Sequence, residues 1–540
     1  MASANSASRP GAAAPSPASR QAAAAPKAPS RGVAALPVEN RGLLTVGVML
    51  ATIMQILDST IANVALPHMQ ASLGATADTV TWVLTSYIVA SAIAIPAAGW
   101  LSDKIGSRNL FIFCIVGFVA SSMLCGLATG LTEMVAFRFV QGTCAAFMNP
   151  LSQTVMMDIN PPEKQARALS IWGMGIMIGP ILGPVIGGWL TESYNWRWVF
   201  YINVPLGIAA FAILWALLPS RPQRERQFDL FGFSMLAVAV AAFQLMLDRG
   251  QNQDWFSSWE IIVEGLVAIS CFWVFLVHLF TAKNPLFDRE ILRDRNLMTS
   301  VAFMLVVGMV LIATMALLPP MLQTLYGYPV LDTGFLMMPR GVGVLISMSI
   351  AGQLLQRNFD ARILVGTGLV IAIWSLYDMT GWTLMMGTMP FILTGLIQGL
   401  GLGLIFIPLN TLAFGTLDPQ YRTEGTSLMN LARNVGASVG ISVVTAELAR
   451  NLQQSHSDIA QHITPQAFPF DPGLAQALGS AGDAAAAMVN GLVTQQAAMV
   501  AYLDDFKLMM VMTAVAIPLV FLLKRPEARQ GAKAEPVDMH

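Results

Sequence analysis

The feature that most restricts this chain is a recurring one: uncharged apolar runs of membrane-spanning length, joined by turns of a few residues. Residues 79–102 and 109–132 are two such runs, each 24 residues without Asp, Glu, Lys or Arg. At ~1.5 Å of helical rise per residue, ~20 apolar residues cross the hydrocarbon core of a bilayer. Between them lies Gly99-Trp-Leu-Ser-Asp103-Lys104-Ile-Gly106-Ser-Arg108, a turn too short to hold a soluble domain. Only 11% of the 540 residues are charged, against ~25% in soluble domains. Mean hydropathy is +0.61. The chain therefore reads as an all-α polytopic membrane protein. A net charge of −1 argues for no nucleic-acid partner. Cys114, Cys125, Cys144 and Cys271 lie inside apolar runs without metal-ligand spacing, so they read as small apolar side chains and no metal site is expected.

Residues 1–42 form an Ala-, Pro- and Ser-rich N-terminal tail, too polar and proline-rich to offset the entropy of ordering; a disordered cytoplasmic tail is expected. The first apolar run is too late and too long for a cleaved signal peptide and reads as a first span. Uncharged runs place fourteen transmembrane spans near 43–66, 79–100, 109–130, 133–156, 167–190, 199–218, 228–247, 259–280, 297–325, 334–355, 362–380, 388–411, 425–448 and 505–523. With the N-terminus inside, 23 Lys and Arg fall on inside segments and four on outside ones, as the positive-inside rule requires. Both termini are then cytoplasmic, the second as a tail over 524–540.

Gly352-Gln-Leu-Leu-Gln356-Arg357-Asn-Phe-Asp-Ala-Arg362 weakly echoes the 99–108 turn, with Gln356 in place of the Asp. Two six-helix halves, 43–218 and 291–523, would put these turns at equivalent places. Residues 219–290 then form a linker with two inserted helices. Duplicated halves are common in transporters, whose substrate site lies between them. Residues 450–504 are the one long outside segment, read as a partly helical loop or as a docking surface.

Ionisable groups inside spans are costly and mark function. Asp58 lies in span 1 and Arg138 in span 4, ~12 Å and ~8 Å from the outer ends by helical rise. They can pair if those spans are neighbours. A desolvated carboxylate holds its proton tightly, and an adjacent guanidinium opposes this. A motion that changed their separation would load or release a proton. The plainer reading is a static ion pair joining two helices. At helical spacing, span 4 carries Arg138, Gln141, Asn149 and Ser152, and span 1 carries Thr52, Gln55, Ser59 and Asn63. These are candidates for a polar cavity face or for interhelical hydrogen bonds.

Span 5 contains Gly179, Pro180, Gly183, Pro184, Gly187 and Gly188, which allow close helix approach and kinking. It is no nucleotide loop, lacking a preceding strand and a following Gly-Lys-Ser/Thr. No P-loop occurs, so no ATP or other cofactor is expected. Arg340 and Arg433 are the intramembrane cations of the second half, candidates for the substrate pathway or for helix anchoring. His456 and His462 read as surface residues.

These segments resemble the major facilitator superfamily, specifically its fourteen-span drug:proton antiporters of EmrB/QacA type. The resemblance rests on Gly99–Arg108, Leu57–Pro67, Arg138-Phe-Val-Gln141-Gly142, Gly179–Gly188 and Asn195–Pro205. It implies an alternating-access exporter in the bacterial inner membrane, exchanging protons for lipophilic compounds. Asp58 and Arg138 would be the coupling pair. Gly99, Asp103, Lys104, Gly106 and Arg108 would form a gate latch, and the span-5 glycines would seal the path. Gln55, Asn63, Gln141, Asn149, Arg340 and Arg433 are the candidate cavity residues. Relatives in double-membraned bacteria work with a periplasmic adaptor and an outer-membrane channel. The rival readings are a single-substrate facilitator or symporter and a non-transporting sensor or scaffold.

Overall fold

The computed structural model describes residues 36–220, 227–462 and 483–524. The tail over 1–35, the cations at 221–226, the loop centre at 463–482 and the tail from 525 lie outside the described residues. Fourteen long helical segments follow one another among the described residues. They are α1 (Arg41–Ser72), α2 (Trp82–Ile105), α3 (Ser107–Leu127), α4 (Leu131–Asp158), α5 (Pro162–Ser193), α6 (Trp198–Leu217) and α7 (Leu230–Arg249). Then come α8 (Trp259–Thr281), α9 (Arg295–Thr324), α10 (Val330–Gln356), α11 (Ala361–Met379), α12 (Met389–Thr416), α13 (Arg422–Gln461) and α14 (Asp483–Val515). Twelve of them are long and apolar enough to cross a membrane. The two others, α4 and α13, carry the polar residues: Arg138, Gln141, Asn149 and Gln153 on one, Arg422, Glu424, Asn430 and Arg433 on the other.

Local chemistry sets the helix ends. The Asn40 side chain accepts from Leu43 N at 3.0 Å and starts α1. Asp229, Asp294 and Asp360 cap α7, α9 and α11 in the same way, each answering a backbone N–H that the first turn leaves free. Gly106, with φ +86, lets the chain reverse between α2 and α3. In the echoing turn between α10 and α11, Asn358 holds φ +59.

The helices pack in a repeated order. In the first six, α1 lies on α5 and α6, α4 on α2 and α3, and α3 on α6. Among α9–α14 the same pairs recur: α9 on α13 and α14, α12 on α10 and α11, α11 on α14. The two sets meet through α5 with α10 and α12, and through α13 with α2 and α4. Helix α7 reaches both sets: Thr85 Oγ1 donates to Asp248, and Ser442 Oγ donates to the Leu247 carbonyl at 2.9 Å. Helix α8 buries only Ile261, Ala268, Phe275 and Leu279, one narrow stripe. Its outward face is Ile262, Leu266, Ile269, Trp273 and Phe280. A helix apolar all round with such an outer face belongs in an apolar solvent.

The last helix departs most from the sequence expectation of 505–523. It starts at Asp483, with a 3₁₀ turn over Ile517–Leu522. Counting charges started the span too late, because a helix need not begin after a charge. Lys507 Nζ pairs with Asp504 one turn away at 2.8 Å on the exposed side, and Asp505 turns inward and is fully buried. Helix α13 likewise runs on to Gln461, so much of 450–504 is helix.

Candidate functional site

Five helices converge on Asp58. Arg138 Nη1 donates to Asp58 Oδ2 at 2.7 Å. Asp58 Oδ1 accepts from Gln141 Nε2 at 3.0 Å and from Asn203 Nδ2 at 2.7 Å. Asn203 also donates to Ser122 Oγ at 2.9 Å, and Ser122 donates to the Phe200 carbonyl. Arg138 sends Nε to the Val83 carbonyl at 3.1 Å and Nη1 to Gln141 Oε1 at 2.8 Å. Its guanidinium lies 4.4 Å from the Tyr87 ring centre and 5.6 Å from that of Phe200, within cation–π range. Asp58, Arg138, Gln141 and Asn203 are all essentially excluded from solvent. A desolvated pair is held when its remaining lone pairs and protons find partners; here both carboxylate oxygens do, while Arg138 Nη2 is buried without an acceptor among the described residues.

Close backbone approach makes this possible. A Cβ on Gly142 would overlap the Tyr87 carbonyl, so α4 can lie tightly on α2 only with glycine there. A Cβ on Gly183 would overlap Thr60 Oγ1, and one on Gly179 would stand 2.6 Å from Ile56 Cγ2. The span-5 glycines therefore press α5 onto α1 along the segment that carries Asp58. Thr60 Oγ1 adds a hydrogen bond to the Gly179 carbonyl at 3.3 Å. Gly188 meets nothing within 4 Å. Pro180 and Pro184 lie inside the continuous α5 helix.

Of the cavity candidates, Gln141 joins the Asp58 cluster directly. Gln55 reaches its edge, donating to Tyr87 Oη at 3.3 Å while its Oε1 is buried without a partner. Asn149, two turns along α4, is half-buried with Oδ1 unpartnered. Asn63 stands apart: it is exposed and bonds only its own helix, to the Ser59 carbonyl at 3.4 Å. Thr52 and Ser59 also bond their own helix, and Ser152 accepts from Trp172 Nε1 at 2.8 Å. Arg340 and Arg433 lie in the second set, where Arg340 Nη2 reaches the Leu311 carbonyl and Arg433 Nη2 reaches Asn430 Oδ1 at 2.8 Å. Sequence reasoning assigned no role to Asn203, Tyr87 or Ser122. A polar amide at the head of the apolar run 199–218 was the available signal for Asn203.

The 99–108 turn sits at the end of the molecule where the two sets close on each other. A Cβ on Gly99 would overlap Glu424 of α13. Arg422 Nη1 pairs with Asp158 at 3.1 Å, and both side chains are mostly buried. Thr426 Oγ1 donates to the Pro150 carbonyl at 3.3 Å, and Gln153 Nε2 to Asn410 Oδ1 at 2.5 Å. Ser170 Oγ donates to the Met348 carbonyl at 2.7 Å. Lys104 lies 4.7 Å over the Trp100 ring. Arg108 Nη2 donates to the Trp215 carbonyl at 2.6 Å, tying the start of α3 to the end of α6. At this end Tyr421 donates to Asp288 at 2.9 Å; burial, then that bond, hold its phenol protonated well above the ordinary range.

Residues 48–441 match the model of the Major Facilitator Superfamily. The chain is 37% identical over 431 residues to the multidrug export protein EmrB of Haemophilus influenzae, covering 78% of this chain and 83% of that one. It is 34% identical over 491 residues to the fatty acid resistance protein FarB of Neisseria gonorrhoeae, covering 89% and 96%. Escherichia coli EmrB is 32% identical over 507 residues, covering 91% and 96%. In fold, the chain is similar to the human organic anion transporter MFSD10 (TETRAN), with a TM-score of 0.56 at 12% identity over 87% of this chain and 99% of that one.

Proposed function

The chain belongs to the Major Facilitator Superfamily, and on that premise we propose that it is a proton-coupled multidrug efflux antiporter. It is a transporter, not an enzyme. It exports lipophilic toxic compounds across the bacterial inner membrane, through fourteen spans with both termini in the cytoplasm. The names of its relatives, multidrug export and fatty acid resistance proteins, support the export direction and the substrate class. The observation that carries the coupling is the buried Asp58–Arg138 pair at 2.7 Å.

The mechanism follows from what that pair can do. With Arg138, Gln141 and Asn203 in place, both Asp58 oxygens are answered by donors. When α4 moves relative to α1, the guanidinium leaves and the carboxylate takes a proton. When the pair re-forms, the proton is expelled. The closed end, with Asp158–Arg422 and Gly99 against Glu424, is the cytoplasmic gate. Opening it means separating α2 and α4 from α13 and sliding α5 on α10. Gln55, Gln141 and Asn149 face the path on the first half, and Arg340 and Arg433 lie on the second. The energy comes from the proton gradient and no cofactor takes part. A periplasmic adaptor and an outer-membrane channel would complete the export route.

Everted membrane vesicles test this. Adding a lipophilic substrate to vesicles holding a proton gradient should release protons from the lumen with the native protein and not with Asp58→Asn. Undiminished release in Asp58→Asn rejects the coupling assignment. Gradient-driven uptake into intact cells would instead mean a symporter, and absence of any gradient-dependent flux would mean a sensor or scaffold.

A further inference from the structure

We infer that the second six-helix set binds a small monovalent anion of halide size against Arg340. A cavity of ≈ 20 Å³ lies among α9–α12, lined by Arg340 and Trp382 and by apolar neighbours including Leu322, Leu336, Met379 and Phe391. Arg340 is 3% exposed. Its Nη2 donates to the Leu311 carbonyl at 3.3 Å, and its Nε and Nη1 are buried with no acceptor among the described residues. The Trp382 indole N–H is likewise buried without an acceptor. The two polar side chains of the cavity wall thus bring three unanswered donors and one uncompensated positive charge.

The chemistry of the ligand follows. A buried cation is tolerated when it is paired, and among the described residues no carboxylate pairs with this one. A water would accept hydrogen bonds but would turn its own hydrogens to Leu, Met and Phe, and would leave the charge uncompensated. An acceptor without hydrogens, carrying one negative charge, answers both demands. About 10–15 Å³ of such volume holds a water, so the cavity has room for a single small ion beside Arg340 and Trp382. The wall is firmly set, since a Cβ on Gly399 would overlap the Arg340 carbonyl and α10 is pressed onto α12 there. Trp382 is braced by Phe391 and Phe506, with ring centres at 4.8 and 5.5 Å. The site does not depend on the pump reading, because it is a matter of binding.

The test uses the purified full-length protein in lipid nanodiscs, with thermal midpoints measured in sodium chloride and in sodium gluconate at equal ionic strength. Chloride should raise the midpoint saturably in the native protein. Arg340→Gln should abolish the chloride-dependent shift. Trp382→Phe, which keeps the ring and loses the donor, should keep the shift and raise the half-saturating chloride concentration about tenfold, the loss of one hydrogen bond to a charged group. Equal midpoints in the two salts for the native protein, or an undiminished shift in Arg340→Gln, overturn the proposal. An unchanged half-saturation in Trp382→Phe also counts against it. A midpoint shift with a lipophilic carboxylate but none with chloride overturns the halide and assigns the site to a substrate's acid group.

Discussion

Asp58 and Arg138 stand 80 positions apart in the chain and meet at 2.7 Å. Every other contact of the guanidinium constrains it: Nε on the Val83 carbonyl, Nη1 shared with Gln141, and the Tyr87 ring beneath it. A lysine has the charge but not the fork, and cannot make these contacts together. Arg138→Lys should therefore lower gradient-driven export about 10–100-fold, the equivalent of one or two lost charged hydrogen bonds. Initial rates in everted vesicles, normalised to folded protein, measure this. Export within twofold of native would show that charge alone suffices.

The span-5 glycines are not equivalent. Gly183 lies against Thr60 of α1, whereas Gly188 meets nothing within 4 Å. Gly183→Ala forces α5 away from the helix that carries Asp58 and should cost about 1–3 kcal/mol of packing. Gly188→Ala, inside α5 with open space at its Cβ, should be neutral or stabilising by up to about 1 kcal/mol. Thermal midpoints of the two variants in the same detergent decide between these positions. Equal effects would mean that the stripe acts through backbone flexibility instead.

Asp158 and Arg422 join α4 to α13 at the closed end, at 3.1 Å. Asp158→Asn and Arg422→Gln should each favour the state open at that end. In a double-mutant cycle the pair should show about 1–2 kcal/mol of coupling. The readout is labelling of an engineered cysteine near Thr154, after the four native cysteines are replaced. Additive effects would mean that the two charges stabilise the closed state separately.

Asn203 and Asn63 offer a contrast between two amides of similar sequence appearance. Asn203 is buried and donates to both Asp58 and Ser122. Asn63 is exposed and reaches only the Ser59 carbonyl. Asn203→Ala leaves Asp58 Oδ1 with Gln141 alone, and should destabilise by about 1–3 kcal/mol. Asn63→Ala should stay within about 0.5 kcal/mol. Thermal midpoints again discriminate, and a larger loss at Asn63 would contradict this arrangement of the two amides.

Much of this molecule could be read along the chain, because lipid imposes a length and an apolar composition on every spanning helix. The span expected at 109–130 became α3, Ser107–Leu127. The rarity of charge inside them singled out Asp58 and Arg138, since an ion in an apolar segment needs a reason. The same one-dimensional signal failed at α14, where Asp504 and Lys507 satisfy each other on the surface and the helix continues through them.

What the chain alone determined is thus the set of helices, their order, and the two ionisable side chains most in need of each other. Which side chains complete that pair was decided only in three dimensions. Asn203 of α6 reaches Asp58 and is itself held by Ser122 of α3, and Tyr87 of α2 lies against Arg138; local sequence names none of these partnerships. Hydrophobicity between helices is nearly neutral in lipid, so partners are chosen by close backbone approach and by the matching of polar groups. Both are properties of the assembled bundle: Gly142 on the Tyr87 carbonyl and Gly183 on Thr60 bring Asp58 within reach of the groups that hold it.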